Sequence, residues 1–350
     1  MMTLLQIEAG RIEKSIPMSV TWYLSDIGEA KGKQELFIRQ APQRLKVLRE
    51  HALAESAISS NRIEGVEIDH ARVGSVIFGR PALRDRNEQE VGGYRDALNL
   101  IHTEAAKLQV SEATILRLHE MSRGEIWDAG KYKNQPVDII EKFPDGSQRV
   151  RFRSVAPEKT SDFIHESMRI WDNEYRDQRL SPLIALAALN LDFLCIHPFR
   201  DGNGRVSRLL LLLTCYHVGI EVGRYISLEQ LIEENKERYY ETLQLSSQGW
   251  HEGKHDPWPY IGFLLYIIKK AYDRFAERAG DVASAKGEKS KLVLQAIKKH
   301  VSEFRLVDIE MECPGVGRDW IRAILFGLKE KGKVTCSGKG KGARWRYTGD

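Results

Sequence analysis

The chain is poor in cysteine. Its 350 residues hold four, Cys195, Cys215, Cys313 and Cys336, and no two are close enough for a Cys-x-x-Cys pair. That argues against a zinc ribbon and against a disulfide framework, and it fits a reducing compartment. There is no Asn-x-Ser/Thr glycosylation acceptor. Long hydrophobic runs are missing too. A stretch such as Leu209–Cys215 is far short of the ~20 apolar residues that span a bilayer. The opening MMTLLQIEAG lacks the apolar centre of a secretion signal. The expectation is a cytoplasmic protein with no membrane partner.

Charge of one sign is nearly absent on average: 53 Lys and Arg face 49 Asp and Glu, a net of +4. The average hides an asymmetry. Residues 281–350 carry 15 basic against 9 acidic side chains, which leaves 38 against 40 in the rest. With 42% hydrophobic and 29% charged residues, the composition is that of a globular chain of two to three domains.

Most of the first 280 residues have apolar positions at helical spacing. Examples are Ile115, Leu116, Leu118 and Met121 after a cap at Ser111, and Phe163, Ile164, Met168 and Trp171. A third helix starts at Ser181 with Pro182 in its first turn and is apolar nearly all round, so it belongs in the centre of a bundle. One segment breaks the pattern. Val137 and Ile139, then Val150 and Phe152, flank Phe143-Pro144-Asp145-Gly146-Ser147, a strand-turn-strand signal. Ala279–Ser290 is small, polar and without period, and reads as a linker. Beyond it the order is helix (291–301), helix (306–311), a turn at Pro314-Gly315, helix (318–330) and a hairpin (333–336 and 344–347), as in a winged helix-turn-helix.

The chemistry is concentrated in His197-Pro198-Phe199-Arg200-Asp201-Gly202-Asn203-Gly204-Arg205-Val206-Ser207-Arg208. Pro198 stops one apolar helix and a second begins near Val206. Two glycines opening a helix make an anion nest, where free backbone N–H groups and the positive end of the helix dipole converge. Arg205 and Arg208, three apart, are placed to reach phosphate oxygens. Asp201 is a hard oxygen ligand suited to Mg²⁺ shared with substrate phosphates. His197 can serve as a general base near neutral pH. The pattern implies nucleotide binding with proton abstraction from an attacking hydroxyl.

This segment resembles the Fic family, whose signature HxFx[D/E]GNGRxxR it matches at every fixed position. The likeness extends over about residues 36–275. Glu90-Val91 with Tyr94, Ala97 and Leu98 is similar to the family's early core helix. The hairpin at 137–152 sits where the family has its flap. Gly130-Lys131-Tyr132-Lys133 is close to the GxYR element, with Lys for Arg. Asn235, Tyr239 and Tyr240 resemble the segment near the nucleotide base. Ser60-Asn61-Arg62-Ile63-Glu64-Gly65 matches the family's inhibitory pattern [S/T]xxxE[G/N].

The resemblance implies a mostly α, Fic-type helical bundle with a β-hairpin flap. It implies a protein adenylyltransferase that moves AMP from ATP to a Ser, Thr or Tyr hydroxyl of a target protein, itself included. His197 would be the base and Asp201 the Mg²⁺ ligand. Gly202, Asn203, Gly204, Arg205 and Arg208 would hold the phosphates, with Asn235 and Tyr240 at the base. Gly204 speaks against the related kinase branch, whose loop has Lys there. Ser60 and Glu64 would inhibit, Glu64 taking the γ-phosphate's place on Arg208. The flap edge would pair with the target backbone.

The domain expectation is 1–105 for an N-terminal helical region with the inhibitory motif and 106–278 for the Fic core. A linker (279–290) and a winged-helix domain (291–350) follow. Alternatives stay open: a DNA-binding regulator that only senses nucleotide, an enzyme that also removes AMP, another nucleotide donor. Arg318, Arg322, Lys339, Lys341, Arg344 and Arg346, with Trp345 and Tyr347 among them, could meet nucleic-acid phosphates, and a homodimer would offer another control. His251-Glu252-Gly253-Lys254-His255 spells the zincin HExxH, but the glycine and the following Asp256-Pro257 argue for a loop. Gly315-Val316-Gly317 follows no strand, so it is read as a turn.

Overall fold

The computed structural model describes residues 2–349, apart from 12–15, 41, 80–81, 125, 143–146, 178–179, 281–287, 301, 314–315 and 339. The protein is mostly α. A short α1 (Thr3–Glu8) precedes two long helices, α2 (Met18–Gln40) and α3 (Pro42–Ile63). Then come α4 (Val73–Phe78), α5 (Arg86–Glu104) and α6 (Glu112–Arg123). A hairpin of β1 (Ile139–Lys142) and β2 (Gln148–Phe152) interrupts the helices. It is followed by α7 (Pro157–Asp177), α8 (Pro182–Ile196), α9 (Asn203–His217), α10 (Leu228–Glu234), α11 (Lys236–Ser247) and α12 (Trp258–Gly280). No helix among the described residues is long and apolar enough to cross a membrane.

The local chemistry explains the starts. Asp85 caps α5 by accepting from the Glu88 N–H, and Ser111 caps α6 by accepting from Thr114 N–H, each satisfying a donor that has no partner within the helix. Ser181 makes no such side-chain bond, so Pro182 in the first turn does the work at α8. From Ile184 to Ile196 every residue of α8 is buried. It packs against α1, α7, α9, α11 and α12, as an all-round apolar helix must.

One hydrophobic cluster runs from Met2 to Phe275, so the N-terminal helices and the bundle around α8 share a single core. The hairpin pairs Ile140 with Val150 and Glu141 with Arg149 across an antiparallel ladder, with an irregularity between Ile139 and Ile140. Ile140 and Val150 are exposed. The root of the hairpin is fixed, because Phe152 meets the Trp250 ring edge-on and stacks on His251. The expected turn at Phe143–Gly146 lies outside the described residues.

The central part of the expected linker, 281–287, is also outside them. Its flanks are helical: α12 continues to Gly280 and the next helix, α13 (Glu288–Lys299), has already begun at residue 288. A second hydrophobic cluster runs from Val293 to Trp345. Its elements after α13 are β3 (Phe304–Arg305), α14 (Leu306–Glu312), α15 (Arg318–Glu330), β4 (Val334–Ser337) and β5 (Arg344–Tyr347). The helix-helix-helix-hairpin order is as read from the sequence, and β3 adds a strand. The sheet order is β3-β5-β4, antiparallel throughout.

Candidate active site

Two consecutive core helices, α8 and α9, set the site at their junction. α8 ends on His197, whose backbone is left-handed (φ 52°, ψ 62°). Among the described residues it is the one side-chain-bearing position with positive φ. The loop then folds on itself: Asn203 Oδ1 accepts from Phe199 N–H (2.9 Å), and its Nδ2 donates to the Phe199 carbonyl (2.8 Å). Phe199 is fully buried and anchors the loop. Gly202, at φ 83°, is the residue before α9. That leaves the first N–H groups of α9 facing the loop's hollow, where an anion is favoured by orphan donors and the helix dipole.

His119 on α6 braces this loop from the side. Its ring stacks on Phe199 at 3.7 Å between centroids, 2° from parallel. Gly130 N–H donates to its Nδ1 at 3.0 Å, so the proton sits on Nε2, which donates to the Asp201 carbonyl at 3.0 Å. Burial pushes the His119 imidazole down to about 4, which keeps that tautomer neutral.

Asp201 stands half-exposed at the mouth. Its Oδ2 accepts from Arg123 Nη1 (2.7 Å) and lies 3.5 Å from Arg86 Nη2. Behind it the buried Glu90 carboxylate gathers three guanidinium groups: Arg86 (2.9 Å), Arg123 (3.0 Å) and Arg205 (2.7 Å). Burial acts to raise the Asp201 carboxyl, but Arg123 and Arg205 outweigh it and hold it below its usual value. The side chain is therefore anionic at neutral pH, and its Oδ1 accepts from the Gly202 N–H at 2.6 Å.

Arg208, buried, lies one turn further along α9. Its Nε donates to Ser60 Oγ (2.8 Å), and its Nη2 donates to the Ser60 carbonyl (2.9 Å) and to Glu64 Oε1 (2.8 Å). Burial opposes its charge, yet Glu64 beside it raises its pKa overall. Its Nη1 is buried without a hydrogen-bond partner. A Cβ built on Gly204 would stand 3.2 Å from that nitrogen and 2.1 Å from Glu64 Oε1. Arg208 Nη1 and the start of α9 thus border one small space, with the Glu64 carboxylate already in it.

Residues 109–215 match the sequence model described as the Fic/DOC family. Residues 109–215 are a Fic domain. Curated relatives include the Protein adenylyltransferase Fic of Drosophila virilis, 23% identical over 251 residues, covering 70% of this chain and 47% of that protein. The same-named protein of Drosophila mojavensis is 23% identical over 282 residues, 77% and 52% of the two chains. The chain spans about half the length of the curated relatives it matches. Among solved structures, a Fic family protein from Desulfovibrio desulfuricans G20 superposes with a TM-score of 0.62 at 21% identity, covering 96% of this chain and 98% of that one. A Fic-domain signaling protein from Bacteroides thetaiotaomicron VPI-5482 gives 0.60 at 21% identity, covering 75% and 100%. These similarities show the Fic fold.

Within the Fic domain and its neighbours, the residues expected at the site are not all equally placed. Arg205 and Arg208 diverge. Arg205, almost wholly buried, is tied to Glu90 and lies 3.4 Å from Asn61 Oδ1, so it braces Asp201 from behind, while Arg208 Nη1 stays without a partner beside Gly204. Tyr240 is half-buried, under the Arg151 guanidinium at 5.8 Å and beside Tyr239. Burial, then the nearby Glu64 carboxylate, pushes its phenol pKa up. Asn235 ends α10 and turns its amide back onto the Leu231 carbonyl (2.7 Å). His119, Arg123 and Arg86 entered no sequence motif, and Glu90 only as a helix marker.

The zincin spelling is a loop, as expected. α11 ends at Ser247, and Gly249 and Gly253 take positive φ. His251 bonds the Arg153 carbonyl (2.7 Å), while His255 bonds Thr3 Oγ1 (2.8 Å) and Gln6 (3.3 Å). Among the described residues no group of three His, Cys, Asp or Glu could by itself hold a metal. A cation at Asp201 would need the nucleotide's phosphates to complete its oxygen shell. In the C-terminal unit, Arg318, Arg322 and Arg346 face Glu310 (3.5 Å), Asp319 (3.1 Å) and Glu303 (3.7 Å), which offsets the charge they offer a phosphate chain. The turn Pro314-Gly315 and Lys339 are outside the described residues.

The buried histidines have a consequence for stability. Burial pushes His102 down to about 3 and His119, His197 and His255 to about 4. An unfolded chain binds their protons from about pH 6.5 downward, while the folded one resists until about pH 4. Folded values lie below unfolded ones, so stability falls as pH drops through that window, by on the order of 1–3 kcal/mol per histidine. The melting temperature, followed by scanning calorimetry, is expected to fall by roughly 10 °C or more between pH 6.5 and 4.5. A flat or rising trace on acidification would refute the assignment.

Proposed function

We propose that this protein is a protein adenylyltransferase that transfers AMP from ATP to a hydroxyl side chain of a target protein, restrained by its own Glu64. The observation that carries the reading is the space bordered by the start of α9 and Arg208 Nη1. It holds a buried guanidinium nitrogen without a hydrogen-bond partner beside the first N–H groups of α9, a receptor for phosphate oxygens. The adenylyltransferase names of the curated relatives support the reaction class.

In this reading the chain's residues divide the work. The N–H groups of Gly202, Asn203 and Gly204 bind phosphate oxygens, and Arg208 neutralises the end of the triphosphate. Arg205 and Arg123, pinned by Glu90, hold Asp201 in place. Asp201 would hold Mg²⁺, which when bound draws charge from the phosphates. His197 is kept neutral: burial and then the Lys133 charge push it down to about 4, against the opposing Leu194 carbonyl. A neutral imidazole can take the proton of the target hydroxyl as its oxygen bonds to the α-phosphorus. The α–β anhydride bond breaks and pyrophosphate leaves. Positioning and charge neutralisation supply most of the rate in such transfers. The exposed β1–β2 edge with Ile140 and Val150 is the surface on which a target segment would lie.

Glu64 occupies the Arg208 fork. A guanidinium edge that serves a carboxylate cannot serve a phosphate in the same geometry. The test is intact-mass spectrometry of the Glu64→Gly variant incubated with ATP and Mg²⁺, alone and with a cell extract. A gain of one AMP on the chain or on an extract protein, lost in Glu64→Gly/His197→Ala, is the expected result. Binding of ATP with no adduct anywhere would replace the enzyme with a nucleotide sensor.

A further inference from the structure

We propose that Lys133 is a positioning residue that sets the His197 ring for proton transfer by stapling the end of α8. This rests on the adenylyltransferase reading and adds a residue to it.

The last carbonyls of a helix have no partner inside the helix. At the end of α8 three successive ones are claimed by this single residue. Lys133 Nζ donates to the Ile196 carbonyl (3.0 Å) and the His197 carbonyl (2.8 Å), and Lys133 N–H donates to the Pro198 carbonyl (2.9 Å). The third ammonium hydrogen goes to Ser154 Oγ, 2.7 Å away, just past β2. An ammonium has three donors, and all three are used. The side chain is almost fully buried, so it is not a solvated surface lysine that happens to be near.

The staple falls where the backbone needs one. His197 is left-handed with a side chain attached, a conformation few residues other than glycine adopt without outside support. Rotating the 197–198 peptide would break the bond from Lys133 Nζ to the His197 carbonyl, and the bonds to the Ile196 and Pro198 carbonyls on either side hold the flanking peptides in place. The ammonium's charge also suits the negative end of the α8 dipole. Lys133 further joins α8 to the segment leading into the hairpin, through its own backbone and Ser154. The base and the surface proposed for the target are thereby held in one frame.

The lysine is titratable in a useful range. Burial pushes its ammonium down to about 8. The charged or titratable groups that face it are Asp138, on the segment before β1, which opposes the shift, and the neutral ring of His197 at the end of α8. Ser154 and the three carbonyls are uncharged. Above about pH 8 the nitrogen keeps two hydrogens for three acceptors and loses its charge. The staple then slackens, and transfer acquires an alkaline limb that owes nothing to His197's own titration.

The experiment uses the full chain in the Glu64→Gly background, with Lys133→Arg and Lys133→Met. Lys133→Met is expected to lower kcat by about 10²-fold, the cost of misplacing a reacting group by about an ångström, with KM for ATP little changed. Lys133→Arg keeps charge and donors and is expected to restore most of kcat. Because a guanidinium does not titrate here, its alkaline limb should move up by two pH units or more. Unchanged kcat in Lys133→Met, or an alkaline limb at the same pH in Lys133→Arg, would overturn the proposal. A second readout stands apart from turnover: ¹⁵N-edited NMR of the Lys133 ammonium and the His197 ring. Both are expected to shift with one midpoint near pH 8. A lysine midpoint near the ordinary ~10.4 with no response at His197 would refute the staple. If Glu64→Gly with native Lys133 transfers no AMP while the NMR coupling is present, the adenylyltransferase reading fails and the staple stands.

Discussion

Replacing Glu64 by glycine is expected to raise the rate of AMP transfer by about 10- to 150-fold. Glu64 makes a charge-assisted bond to Arg208 at 2.8 Å, a class of contact worth about 1.5–3 kcal/mol, and ATP must displace it. The substitution should not disturb the receptor. Arg208 keeps its bonds to Ser60 Oγ and the Ser60 carbonyl, so the guanidinium stays aimed. α3 ends at Ile63, so a glycine at 64 does not weaken a helix interior. Glu64→Gln is the informative companion, since it keeps bulk and loses charge, and it should fall between the two. Initial rates with α-labelled ATP measure all three. Equal labelling by wild type and Glu64→Gly would remove the brake from the account.

Replacing His197 by alanine is expected to lower transfer in the Glu64→Gly background by about 10²- to 10⁴-fold, the range that positioned acid–base groups supply. Alanine at φ 52° adds backbone strain, so His197→Asn belongs beside it, since asparagine tolerates that region. Both variants should bind ATP as Glu64→Gly does in titration calorimetry, because the imidazole is on the acceptor side of the reaction. Transfer that survives both substitutions would mean that His197 is not the base.

The bundle was legible because its signals are local. The all-round apolar run of α8, the cap at Ser111, and the alternation on either side of residues 143–147 each lie within one element. The chemistry at 197–208 was legible because it is contiguous. What could not be read is what holds it. Arg123 meets Asp201 across 78 positions and Arg205 meets Glu90 across 115. Such pairs leave no periodicity to find. His119 looks like any polar residue on α6 until Phe199 is stacked on it. Lys133 showed itself only as a departure within GxYR, with nothing to assign it a task. The spacing of Arg205 and Arg208 was misleading in a simple way. Residues three apart on a helix share a face at the Cβ, but a guanidinium reaches far enough beyond it for the two to choose different partners, Glu90 and the Ser60–Glu64 pair.

Gly204 carries a constraint on how this protein can change over generations. A Cβ there would stand 2.1 Å from Glu64 Oε1 and 3.2 Å from Arg208 Nη1. The nearer atom ends a flexible side chain and can step aside, so the cost of a small residue at 204 falls on the Glu64–Arg208 contact itself. Under the proposed restraint, position 204 is then a second place, besides position 64, at which a lineage could loosen it.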